Sequence, residues 1–156
     1  MRVSKKDIMM IAQLRENARE TLTKMSRRTG IPVSTLYDRL QAHNGRLIKK
    51  FTSILDFREL GFSIRANMLI GVDYEDRQKL RDFLEKAYNA NSVQTINNDY
   101  DYFVEGIFKD IPDLEAFKEK LHATAKISRL QIYIVADEIK KEQFLSGKEL
   151  GYLTAS

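Results

Sequence analysis

Residues 22–41 read LTKMSRRTGIPVSTLYDRLQ, and this stretch decides how the first part of the chain folds. Ser26 is small where two helices must touch, and Gly30 follows it by four residues. Glycine takes a left-handed backbone without a Cβ clash, so Gly30 is read as the residue that ends the first of two helices. Pro32 then stands at the start of the next helix, where its missing N–H costs nothing. Val33, Leu36 and Leu40 lie three and four apart, so the second helix is expected to bury that stripe, with Met25 and Ile31 adding to the same seam. The opposite face carries Ser34, Thr35, Asp38 and Gln41. Two helices crossed over a tight turn, the second offering short polar side chains near its start, match the unit that enters a DNA major groove. An ordinary helical hairpin inside a core is the alternative reading.

Charge separates the chain around this unit. Residues 1–56 hold 12 Lys and Arg against 5 Asp and Glu, net +7, whereas residues 57–156 hold 14 against 17, net −3. A cationic half that coincides with a helix-turn-helix is the electrostatic footprint of phosphate neutralisation. The 156-residue chain has no cysteine, which removes disulfides, thiolate nucleophiles and Cys-type zinc sites together. It begins with polar and charged residues and has no uncharged apolar run near the length of a membrane span, so neither a signal peptide nor a span is expected and the cytoplasm is the expected setting.

Upstream of the hairpin, Ser4 with Asp7 three residues later has the spacing of a capping box, and Ile8, Ile11 and Ala12 continue at helical intervals, giving a first helix over about residues 5–14. Asn17, Ala18 and Arg19 break the pattern, and Thr21 is placed to cap the second helix. Downstream, His43, Asn44 and Gly45 stop the third helix. The run LIKKFTSIL (47–55) mixes β-branched and basic residues and reads as a wing of two strands, with Arg46, Lys49 and Lys50 near the backbone of a bound duplex.

The pattern changes at residues 56–61. From there the chain reads strand, helix, strand, strand, helix, strand. Ile64, Ala66, Met68, Ile70 and Val72 alternate, Leu80, Phe83, Leu84 and Ala87 form a helical stripe, and residues 92–97 and 102–109 form two strands around a polar loop. Leu114, Phe117 and Leu121 form a second stripe, and residues 130–136 close the order. This is the split βαβ, ferredoxin-like arrangement, an antiparallel sheet carrying both helices on one face. Phe103 and Ile107 alternate with Val104 and Phe108, and Tyr133 and Val135 with Ile132 and Ile134, so both faces of these strands look apolar. The second face is therefore expected to meet another copy of the chain. Cover by the chain's own end, through Phe144, Leu145, Leu150, Tyr152 and Leu153, is the alternative.

Little in the sequence speaks for catalysis or metal binding. Asp73, Glu75 and Asp76 could hold a hard cation, but acids at a helix start more often complement the positive end of the helix dipole. Asp99 and Asp101 flank Tyr100 in a turn, where such acids cap backbone N–H groups. His43 and His122 have no nucleophile or carboxylate at motif spacing and are both expected at the surface. No catalytic residue, metal or cofactor is expected, and an enzyme is only a formal rival.

The motifs together resemble the Lrp/AsnC, or feast/famine, transcription regulators. The resemblance rests on NAR before the capping Thr21, on TGIPVSTLYDRL and IKKFTSILD, on the Leu60–Gly61 pair, and on a βαββαβ half with a D-Y-D loop at residues 99–101; it runs from Ser4 to Phe144. It implies an α+β chain with a winged helix-turn-helix over residues 1–56, a hinge at 57–61, a ferredoxin-like dimerisation and effector (RAM) domain over 62–144 and a tail from 145. It also implies a regulator that binds double-stranded DNA as a dimer or larger assembly, up to an octamer, with an amino acid bound between RAM domains as effector. An architectural DNA-binding protein without an effector is the alternative. The DNA-facing residues are then Ser34, Thr35 and Asp38 at base edges, with Val33 and Tyr37 beside them, and Arg27, Arg28, Arg39, Lys49 and Lys50 at phosphates. Arg39 has a second reading, in which it packs within its own domain. The effector loop comprises Asn97, Asn98, Asp99, Tyr100 and Asp101. Asn98 stands where the family commonly has glycine, and Ala42 and His43 stand where it commonly has a Leu-Glu pair.

Overall fold

The computed structural model describes residues 3–146. Those up to Ile54, together with those from Ile139 onward, make one unit, and Leu55–Glu138 make a second.

The first unit is built on α1 (Lys5–Glu16), α2 (Leu22–Thr29) and α3 (Val33–His43). Each start follows from a local signal. Ser4 and Asp7 cap α1 reciprocally: Ser4 Oγ accepts from Asp7 N–H, and Asp7 Oδ2 accepts from Ser4 N–H at 2.7 Å. Thr21 Oγ1 accepts from Lys24 N–H at 3.3 Å to open α2. Gly30 ends α2 at φ +71°, its N–H donating to Ser26 O at 2.8 Å. Met10, Met25, Ile31 and Leu36 are buried together, with Leu14, Leu22 and Leu40 packed around them.

Two expectations are corrected here. Val33 is 43% exposed, because α3 begins at Val33 itself with Pro32 as its cap, and the buried stripe starts one turn later at Leu36. No two-stranded wing forms. After Gly45, which turns the chain at φ +74°, a single bridge joins Asn44 to Ile48, and residues 49–55 run on without strand pairing to any described residue. The run 47–55 contains no Gly, Pro or Asn that would fold it back on itself, so a hairpin has no turn to form on. At the end of the described chain, residues 139–146 group with the helices. Arg15 holds them there, donating to the Glu142 carboxylate at 2.8 Å, to Glu142 O at 2.8 Å and to Phe144 O at 3.0 Å. Leu150, Tyr152 and Leu153 lie outside the described residues.

The second unit opens with a 3-10 turn, Phe57–Leu60, capped by Asp56 and closed by Gly61. It continues through β1 (Ile64–Val72), α4 (Arg77–Lys86), β2 (Ala90–Thr95), β3 (Tyr102–Phe108), α5 (Ile111–Thr124) and β4 (Ile127–Ile134). All strand pairs are antiparallel in the order β2-β3-β1-β4, the expected ferredoxin-like topology. The register sets Met68 opposite Val104 and Ile132, and Ile70 opposite Tyr102 and Leu130. This face packs on Leu80 and Leu84 of α4 and on Leu114, Phe117 and Leu121 of α5. Gly106 lies on it because any side chain would collide with Phe108: an added Cβ would stand 2.5 Å from the ring.

The opposite face is less apolar than the alternation suggests. Leu69 sits opposite Phe103, but Asn67 sits opposite Glu105, and Arg65 reaches across to Glu105 at 2.7 Å and also pairs with Glu138. Phe103, Leu69 and Ile107 therefore share that face with an ion-paired network. The acids before α4 have partners too: Asp73 pairs with Lys126 at 2.7 Å, while Asp76 pairs with Lys79 at 2.7 Å and accepts from Lys126 N–H at 2.9 Å. Among the described residues no helix is long and apolar enough to cross a membrane.

Candidate nucleic-acid interface and effector loop

The outward face of α3 carries the sequence-predicted reading residues. Ser34, Tyr37, Asp38 and Gln41 are exposed, as is Val33, while Thr35 is half-buried. This follows from helical geometry: once Leu36 turns inward against Met10, Met25 and Ile31, positions two residues to either side must face away. Arg27, Lys49 and Lys50 are exposed and stand in the cationic half. Arg28 is exposed but lies 3.3 Å from Glu20, whose side chain is almost wholly buried, and also donates to Gln13, so part of its charge is met within its own unit.

Arg39 does not join them. Its Nη1 donates to Asp7 Oδ1 at 2.6 Å and to Ser4 Oγ at 2.8 Å, so of the two readings of this residue the one within the domain is realised. His43, expected at the surface, is instead 3% exposed, with Nε2 at 2.9 Å from the same Asp7 oxygen. Arg39 and His43 are four residues apart and so share one face of α3. That face turns toward α1 and the fully buried Asp7 carboxylate.

Asp7 thus collects a network. Oδ2 takes the N–H and hydroxyl of Ser4 at 2.7 and 2.6 Å, and Oδ1 faces Arg39 and His43. Burial by itself raises the carboxyl pKa, but the hydrogen bonds from Ser4 and Arg39, with the His43 imidazole beside them, outweigh it and hold the group well below the usual carboxylate range. The network is not fully satisfied. Arg39 Nε and His43 Nε2 are buried and form no hydrogen bond to a described residue, although the imidazole nitrogen lies 2.9 Å from the carboxylate.

In the second unit the loop between β2 and β3 is tied to the end of β1. Asp101 Oδ2 accepts from Val72 N–H at 2.9 Å, its Oδ1 meets Arg77 at 2.6 Å, and its own N–H donates to Ile70 O at 2.9 Å. Asp99 lies 3.2 Å from Arg129. Asn98 takes φ +74°, the left-handed backbone that asparagine tolerates better than other non-glycine residues. Asn97, Asn98 and Asp99 are exposed, whereas Tyr100 and Asp101 are half-buried. Gly71 faces the loop, and a Cβ there would meet Ser128 Oγ at 3.1 Å and Asp99 O at 3.5 Å. The two loop acids act as anchors of backbone and arginine.

A family model described as the Lrp/AsnC ligand binding domain matches residues 65–145, which takes in this sheet, both of its helices and the loop. The chain belongs to the Lrp/AsnC family. Among its relatives, the HTH-type transcriptional regulator FL11 of Pyrococcus horikoshii is 28% identical over 130 residues, covering 83% of this chain and 86% of that protein. The transcriptional regulator AzlB of Bacillus subtilis is 28% identical over 115 residues, covering 71% and 73%. A transcriptional regulator of Neisseria meningitidis, solved as an L-methionine complex, superposes with a TM-score of 0.82 at 21% identity over 90% of this chain and 94% of that one. At that identity the superposition speaks for a shared Lrp/AsnC fold.

Sequence reasoning missed Asp7 and His43 as members of one cluster. Two signals were present: the Ser4–Asp7 capping box and the four-residue spacing of Arg39 and His43. Nothing local joined them, because 32 residues separate Asp7 from Arg39.

Proposed function

We propose that this chain is a DNA-binding transcriptional regulator of the Lrp/AsnC type, reading duplex DNA through α3. The single observation that carries the reading is an exposed polar face of α3, in the half of the chain with net charge +7, joined to a domain of that family. In this reading Ser34 and Asp38 address base edges, with Val33, Thr35 and Tyr37 beside them, and Asp38 accepts from a cytosine amino group. Arg27, Arg28, Lys49 and Lys50 neutralise phosphates, which fixes register without reading sequence.

The reading unit works in pairs. Leu69 and Phe103 on the open sheet face, and Phe51, Ile54 and Leu55 on the extended run 49–55, are apolar surface that a second copy would remove from water. A dimer then presents two α3 helices to successive major grooves of a near-palindromic site, and dimers can assemble further. The effector class is an amino acid held at the loop 97–101, a reading supported by the L-methionine complex of the Neisseria regulator and by the left-handed Asn98 that keeps the loop's turn.

Selection from a random duplex pool, run with and without a mixture of amino acids, tests the whole reading. A recovered near-palindrome whose occupancy shifts with one amino acid is the expected result. Within that site Asp38→Ala should change the preferred sequence, whereas Lys49→Ala should weaken all sequences alike and lower the salt slope by about 1. Recovery of no preferred sequence would overturn the regulator reading.

A further inference from the structure

We propose that Asp7 is a positioning residue for sequence reading: through Arg39 and His43 it fixes the rotation of α3 about its own axis, and so decides which side chains of that helix meet base edges. The inference rests on the DNA-binding reading above.

The apolar seam of the first unit, through Leu36, turns the polar side of α3 outward but sets its rotation only coarsely. Its four buried members include Met10 and Met25, flexible thioethers that refill irregular space at little cost and therefore tolerate a turned neighbour. Hydrogen bonds to a carboxylate are directional. Asp7 is itself held at two points, by the Ser4 amide and hydroxyl, so its Oδ1 is a fixed point at the start of α1. Arg39 and His43 reach that point from one turn apart on α3. A helix hydrogen-bonded to one fixed atom through Arg39, and packed against the same atom one turn later through the buried His43 ring, cannot roll without losing one of those contacts. Asp38 precedes Arg39 directly, and Ser34 and Gln41 lie within about a turn and a half of it. A roll of α3 would carry all three away from the groove together.

The decisive variant is Asp7→Asn, which keeps an oxygen to cap Ser4 N–H and removes the charge facing Arg39 and His43. Three quantities are measured on the full chain: amide exchange along α3, affinity for the selected site, and affinity for random duplex at two salt concentrations. We expect faster exchange in α3 and a fall of about tenfold or more in the ratio of specific to non-specific affinity, a ratio typically about a thousandfold or more in specific regulators. Non-specific affinity and its salt slope should hold, since phosphate contacts need charge and not exact rotation. Arg39→Lys, which keeps the charge but loses the planar fork, should lose part of the ratio and serves if Asp7→Asn does not fold. Unchanged α3 exchange, an unchanged ratio, or equal loss of both affinities would overturn the positioning role while leaving DNA binding intact. Absence of any duplex binding by the unsubstituted chain would overturn both readings, and that outcome is seen before any variant is made.

Discussion

Met68 and Asp7 are both completely buried, and the contrast between them is the contrast between the two units. Met68 lies on the inner face of the sheet among Val104, Ile132, Leu80 and Phe117, in a core that is apolar across three strands and two helices. Asp7 lies between α1 and α3, where the apolar seam has only four buried members and the remaining order comes from a carboxylate, an arginine and an imidazole. Area burial is strong and non-directional, which suits a platform whose register is already fixed by strand pairing. Charged hydrogen bonds contribute less net stability but specify direction, which suits the reading role proposed above for α3.

The largest effect that would break this contrast is expected in the sheet. Phe108 is fully buried and meets Phe117 edge-on, with ring centroids 5.4 Å apart, so Phe108→Ala should cost about 3–5 kcal/mol. Chemical denaturation followed by amide exchange should place that loss in residues 64–134 and leave α1–α3 protected. Equal loss in the helices would mean that the two units do not have separate cores.

Asp7→Ala should come next, at about 2–3 kcal/mol, below the full cost of breaking a buried pair because Arg39 keeps some solvent access. Here exchange should quicken in α1–α3 alone. The same residue gives a pH test. Its native pKa lies below the unfolded value, about 3.9, so its contribution is fully present above that value and is lost as pH falls through the native one. The stability gap between the unsubstituted chain and Asp7→Asn should stay level above about pH 5 and narrow progressively below pH 4. A gap that widened on acidification would contradict the charge assignment.

Gly30→Ala should cost about 1–2 kcal/mol, because the position holds φ +71° and the penalty is backbone strain with no steric clash: nothing lies within 4 Å of an added Cβ. Gly30→Asn should recover part of the loss, which thermal melting would resolve. The smallest effect sharpens the contrast from the other side. Met10→Leu should change stability by less than about 1.5 kcal/mol, since the seam around α1 is expected to repack. A larger loss would show that seam to be as exacting as the sheet core, and would weaken the case for Asp7 as the orienting element.

The strands and helices of the sheet were legible because each repeats one spacing over several turns or pleats: Ile64, Ala66, Met68 and Ile70 alternate, and Leu114, Phe117 and Leu121 return at helical intervals. The loop between β2 and β3 was legible at Asn98, whose left-handed φ could be anticipated from its place in a turn. The wing was misread because LIKKFTSIL has the composition of strands, and composition does not reveal whether a pairing partner lies within reach. The open sheet face was legible in part: Phe103 and Ile107 read as apolar, whereas the Arg65–Glu105 pair that shares the face joins residues 40 apart.

The sequence by itself determined the helix caps, the turn at Gly30, the cationic half and the order of strands and helices, since each depends on residues within a few positions of one another. Only the tertiary structure decided that Arg39 and His43 turn inward to Asp7, that residues 49–55 stay extended, and that residues 139–146 return to Arg15. Those outcomes are set by which distant groups meet once apolar surface is buried, and a buried charge takes whatever partner the fold brings within hydrogen-bonding distance.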